Sequence, residues 1–114
     1  MSFKILHEYG LDTKADKYNL MIARGANLMD CNGQRMEVKA YMIVEETRDD
    51  GEIIKAFKAI VKDGDEDQVV GTNSPVFMRG LETYLDFMGT EELTTFMAVQ
   101  KPTHNNKKCL TFNA

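Results

Sequence analysis

The sequence predicts a mainly β domain with one α-helix, folded as a small antiparallel barrel. Three observations carry that expectation. Residues 35–46 ("RMEVKAYMIVEE") alternate apolar and polar with a period of two, the mark of a strand. A turn-rich "TRDDG" follows and hands over to a returning apolar run. Residues 75–88 then carry a single helical stripe, with a last strand pair behind it.

The elements follow in order. "FKILHEYGL" is ambiguous between a short strand and a frayed helix, and "TKADK" reads as a polar loop, so residues 1–16 form a candidate loosely attached segment. Residues 18–29 ("YNLMIARGANLM") read as a strand kinked at Gly25, because glycine inside a strand marks a bulge or close approach. Asn32-Gly33 is a turn dipeptide. In residues 35–46 the alternation puts Met36, Val38, Ala40, Met42 and Val44 on a core face. Arg35, Glu37, Lys39, Tyr41, Ile43 and Glu45 fall on the other. Residues 52–62 ("EIIKAFKAIVK") also fit a helix, but the preceding turn and strand favour a hairpin partner. "DGDED" makes a turn, and "QVVGT" a short strand.

Phe77, Leu81, Tyr84, Leu85 and Met88 share one helical face over residues 75–88. Asn73 or Ser74 caps its start, Pro75 suits the first turn, and Gly89 stands where a left-handed residue ends a helix. "TTFMAVQK" and "KCLTF" form the final strand pair around "PTHNNK". Antiparallel strands with one late helix, between the central strands and the C-terminal hairpin, fit a small OB-like barrel spanning residues 1–114 as one domain.

The totals narrow the function classes. A chain of 114 residues buries enough surface to fold without disulfides or metal. No apolar run is long enough for a membrane helix, and "MSFKILHEYGLDTK" has no secretory-signal pattern. Cys31 and Cys109 show no C-x-x-C spacing, which fits a reducing, cytoplasmic setting. The net charge of −4 weighs against a strongly basic nucleic-acid binder but leaves room for local basic surface. The charge is segregated: "EETRDDGE" and "DGDED" are acidic, whereas "KPTHNNKK" carries Lys101, Lys107, Lys108 and His104 and no acid. Eight methionines suit a soft core or an adaptable surface.

Catalytic and metal chemistry find little footing. Asp63, Asp65 and Asp67 alternate as in a calcium loop, but Gln68 and Ser74 stand where an EF-hand needs glycine and glutamate. His7 and His104 show no ligand spacing with Cys31 or Cys109. A Cys–His nucleophilic pair has no local signature, and the paired carboxylates sit in turns. "GTNSP" lacks the lysine and glycine spacing of a phosphate loop. The sequence thus points to no enzyme and no cofactor.

What remains is a set of cations and rings. One hairpin strand offers Lys39 and Tyr41, its partner Lys55, Phe57 and Lys58, and the last hairpin Lys101, His104, Lys107 and Lys108. Single-stranded DNA needs cations for phosphates and flat rings for bases. The same residues also fit a plainer arrangement, with Tyr41 and Phe57 in the core and the lysines as ordinary surface. Period alone does not separate the two.

Two stretches add a resemblance. "VVGTNSPVFMRGLETYLDFMGTEELTTFMAVQKPTHNNKKCLTFNA" and the preceding hairpin "RMEVKAYMIVEETRDDGEIIKAFKAIVKDGD" resemble the small single-stranded-DNA-binding proteins of tailed phages infecting Gram-positive bacteria. The likeness lies in element order and residue type over residues 28–114. It implies an OB-like barrel that coats DNA displaced during phage replication, with no catalytic residues. Its partners would be single-stranded DNA and phage or host replication proteins, in the host cytoplasm, with homo-oligomerisation left open. The competing expectation is a small phage factor that binds and modulates a host protein through acidic loops and methionines.

Overall fold

The computed structural model describes residues 2–103 and 107–114. Seven strands form one sheet: β1 (Ser2–Tyr9), β2 (Ala26–Asn27), β3 (Arg35–Thr47), β4 (Ile53–Asp63), β5 (Glu66–Thr72), β6 (Thr95–Pro102) and β7 (Lys108–Asn113). Two helices accompany them, α1 (Lys14–Ile22) and α2 (Pro75–Met88), with a 3-10 turn at Leu28–Cys31. The strand order is β2-β5-β4-β3-β6-β7, and β1 also pairs with β3. β3 is long enough to serve two neighbours on one edge: Arg35–Glu37 pair with β6, and residues 41–47 with β1. The sheet curls into an open half-barrel.

Two expectations change. There are two helices rather than one, and the N-terminal segment is part of the fold. "TKADK" opens α1 because Thr13 accepts from the Asp16 amide at 3.1 Å while the Asp16 carboxylate accepts from the Thr13 amide at 3.3 Å. This reciprocal box starts a helix. The strand expected over residues 18–29 is therefore the end of α1, a two-residue β2 and the 3-10 turn. Gly25 does mark a close approach: a Cβ there would lie 2.3 Å from the Val69 carbonyl oxygen.

A bulge decides which side chains meet. The β3–β4 register shifts between Val38 and Ala40, making Lys39 the extra residue. Met36 and Val38 face the main core before the bulge, and Tyr41 and Ile43 face it afterwards. Met42 and Val44 turn to the opposite face, where Leu20 of α1 covers them together with Ile5, Leu11, Met21, Ile60 and Val69. Both faces of β3 are thereby buried over residues 40–44.

α2 closes the main core. Phe77, Met78, Leu81 and Leu85 are buried, and the helix ends at Gly89 (φ 67°), whose amide donates to the Leu85 carbonyl at 2.9 Å. Ser74 is the N-cap residue, without a side-chain capping bond. Met88, expected on the buried face, is half exposed at the helix end. The helix lies close on β7 because Gly80 has no side chain: a Cβ there would stand 3.2 Å from that of Phe112. A ring network runs through the core, Tyr9–Tyr41–Phe57, then Phe77 and Phe96, then Phe112 and Tyr84, with centroid separations of 5.3–6.2 Å. No helix among the described residues is long and apolar enough to cross a membrane.

Candidate nucleic-acid interface

The eight residues singled out from the sequence separate into three groups. Tyr41 and Phe57 lie fully in the core at 0% exposure. Their rings pack 5.9 Å apart, and Phe57 also meets Phe77 and Phe96. Neither ring is open to a base: Phe57 shares the core face of β4 with Ala59 and Val61, and Tyr41 is turned inward by the bulge at Lys39. Without it, Tyr41 would have continued the solvent-facing row of Arg35 and Glu37.

The second group is cationic but engaged. Lys39 pairs with Asp67 at 2.7 Å, and Lys55 pairs with Glu82 of α2 at 3.1 Å. Lys58 donates to the Met21 carbonyl and, at 2.9 Å, to the Ala23 carbonyl. Those oxygens terminate α1, where a cation complements the helix dipole. Burial pulls the Lys58 pKa down, while its two carbonyl acceptors hold the ammonium in place. Lys58 therefore fastens α1 across β4 rather than facing solvent.

The third group is open. Lys101 and Lys108 stand on the two arms of the β6–β7 hairpin, with Lys107 just before β7. All three are exposed. The hairpin narrows through the Thr103 amide donating to the Lys107 carbonyl at 2.7 Å. Lys101 lies opposite Cys109 and Lys108 opposite Pro102, so the two lysines leave opposite faces of the ribbon. His104 lies outside the described residues.

The rings that do reach solvent are different ones. Of six Phe and four Tyr, seven belong to the core network. Phe3, Tyr18 and Phe87 are exposed at 51%, 60% and 86%. Sequence reasoning passed over all three, though Phe87 carried a readable signal: it falls outside the arc of Phe77, Leu81 and Leu85.

Elsewhere the titratable groups serve structure. His7 Nδ1 meets both carboxylate oxygens of Glu91 at 2.9–3.0 Å, and the Tyr41 hydroxyl donates to the Glu91 carbonyl at 2.5 Å. These contacts tie β1 and β3 to the segment after α2. Burial, and then the neighbouring Glu91 carboxylate, raise the Tyr41 pKa. Cys31 and Cys109 are free thiols. Burial and then Asp30 push the Cys31 thiol up, the reverse of what a nucleophile needs. No cluster of three or more His, Cys, Asp or Glu suited to a metal occurs among the described residues.

Tyr41 gives a pH prediction. An unfolded tyrosine ionises near pH ~10, and the folded value is higher, so the folded state resists ionisation. The stabilisation is whole below the unfolded value. It falls by about 1.4 kcal/mol per pH unit as pH rises from there towards the folded pKa. Urea midpoints measured on the alkaline side should show this slope, and Tyr41→Phe should remove it. At neutral pH that variant should lose about 0.5–1.5 kcal/mol with its hydrogen bond. An unchanged alkaline slope in the variant would contradict the assignment.

Comparison with protein-family models, with curated proteins and with solved structures returned no match.

Proposed function

We propose that the chain binds single-stranded DNA without catalysis, in phage DNA replication or recombination, through the lysines on either side of the β6–β7 connection. The observation that carries this reading is the trio Lys101, Lys107 and Lys108: exposed, and without an ion-pair partner among the described residues. Element order supports it. From β3 to β7 the chain runs three strands, a helix and two strands, with hairpins β4–β5 and β6–β7 either side of β3. That order fits an OB-like barrel left open where its last strand would close on the third. OB-folds contact nucleic acid through the face of their second and third strands and through two hairpin loops. Here the corresponding strand face, on β4 and β5, lies under α1. Of the corresponding loops, residues 48–52 are acidic with Arg48 near Glu52 at 3.8 Å, which leaves the β6–β7 connection, flanked by Lys101, Lys107 and Lys108, as the cationic one.

The experiment is a fluorescence-anisotropy titration of labelled oligo-dT across a salt series. Wild-type binding should weaken as salt rises. Changing Lys101, Lys107 and Lys108 together to alanine should reduce the log–log salt slope by about 2, since each single-strand phosphate contact contributes about 0.7. A flat titration of folded wild-type protein at low salt would remove this reading. An unchanged slope in the variant would move the site off the hairpin.

A further inference from the structure

β4 is longer than its partner on one side. β3 accompanies it from Ile53 to Lys62, whereas β5 reaches only as far as Phe57, opposite Thr72. Residues 53–56 therefore border a lane that no described strand fills. The hairpin bond from the Arg48 amide to the Glu52 carbonyl, 2.8 Å, sets the phase of the ladder. In an antiparallel pair the bonding direction alternates from residue to residue. Ile54 and Ala56 thus bond towards β3, and Ile53 and Lys55 direct their amide and carbonyl groups into the lane.

α2 forms the opposite wall. Phe77 lies against Phe57 and Glu82 pairs with Lys55, so α2 runs antiparallel to β4. Between helix and strand lies a groove of about 740 Å³, lined by Ile53, Ile54 and Met78 together with polar side chains of both elements. That volume falls in the usual range of ligand sites, about 300–1,000 Å³.

We propose that this lane takes an extended peptide segment of a partner protein, added to the sheet as a strand beside Ile53–Lys55. Backbone pairing with an exposed edge is an established mode of peptide recognition. The lining charges specify the chemistry. Lys55 is neutralised by Glu82 and Glu52 lies 3.8 Å from Arg48 in an exposed pair, which leaves Asp86, among the described residues, as the uncompensated acid at the hairpin end and Arg79 nearer Asn73. The matching segment places an apolar side chain over Ile53 and Met78 and a basic one beside Asp86, where Glu52 adds a second, partly compensated carboxylate. Length argues against a second copy of this chain. The lane accommodates four residues, about 13 Å at strand rise, and is then blocked by Thr72 and Asn73, where a strand held in a sheet would have to continue. A free segment can turn away there.

The test uses a fluorescein-labelled peptide of alternating valine and lysine, titrated into the full chain. A second peptide has proline at alternate positions and lacks the amide donors. The protein variant is Glu52→Lys with Asp86→Lys, both exposed positions. Expected are saturable binding of the first peptide, slowed amide exchange at Ile53 and Lys55, and about tenfold weaker binding on either change, equivalent to about 1.4 kcal/mol. Equal binding of the proline peptide would reduce the contact to charge alone and overturn the proposal. So would indifference to the charge reversal, or a dimer whose Ile53 and Lys55 amides are already protected. Displacement of the peptide by oligo-dT would assign the lane to nucleic acid and also overturn it. Failure of oligo-dT to bind at all, with the peptide bound as described, bears only on the DNA reading.

Discussion

Phe57→Ala should lower the stability of the protein by about 3–5 kcal/mol, measured as a shift of the urea midpoint at constant m-value. The side chain is fully buried and sits where three parts of the fold meet. Its ring touches Tyr41 of β3 at 5.9 Å, Phe77 of α2 at 5.3 Å and Phe96 of β6 at 5.6 Å. Each such pair adds about 0.5–1.5 kcal/mol beyond the area it buries. No single neighbour can refill the space, because those neighbours are themselves fixed by Phe112 and Tyr9. Against a total stability of about 5–15 kcal/mol, the loss is a large fraction. The experiment also separates the two roles open to this residue from the sequence. A base-stacking Phe57 on the surface would lose oligo-dT affinity on truncation and little stability. The core Phe57 seen here loses stability, and its folded fraction keeps its affinity. Phe57→Leu should cost much less, since it retains most of the buried volume.

The sequence made the regular elements legible where period and punctuation agreed. Residues 35–46 alternate cleanly, and α2 is bracketed by Pro75 and Gly89, so both came out within a residue or two. α1 was hidden for two reasons. Its capping box pairs Thr13 with an aspartate, Asp16, instead of the usual glutamate or glutamine. Its apolar residues are also split between the sheet side, Leu20 and Met21, and the solvent side, Tyr18 and Ile22. A helix with apolar groups on both sides has no single stripe to read. The candidate site was legible only in part. The three lysines in "KPTHNNKK" stand out by composition, and all three are exposed in the structure. Tyr41 was misplaced because a one-residue bulge inverts every side chain beyond it. Nothing in "EVKAY" announces that bulge. It is set by the partner strand and by what packs at Gly10.

Gly10→Ala should therefore be among the most damaging small changes in the chain, costing about 2–5 kcal/mol. Two separate effects combine. Gly10 has φ 76°, a left-handed conformation that costs an L-residue about 1–2 kcal/mol. A Cβ at this position would also lie 2.4 Å from the Lys39 carbonyl oxygen and 3.1 Å from the Cα and Cβ of Ala40. Two of those atoms are backbone at the bulge and the third is a Cβ fixed to it, so the contact is relieved only by moving β1 or the bulge itself. Gly33→Ala supplies the comparison. Gly33 shares the φ of 76° but has nothing within 4 Å of its Cβ position, so its substitution reports strain alone. The difference between the two urea midpoints then measures the close approach of β1 to the bulge. Amide exchange should localise the effect. In Gly10→Ala, β1 and α1 should exchange faster, because β1 is held along β3 and α1 is tied to it through Lys17 and Glu8 at 3.0 Å. α2, β6 and β7 should keep their protection relative to global unfolding. Equal losses in the two variants would mean that the backbone at Lys39 yields freely, and the bulge would then not be fixed by this contact.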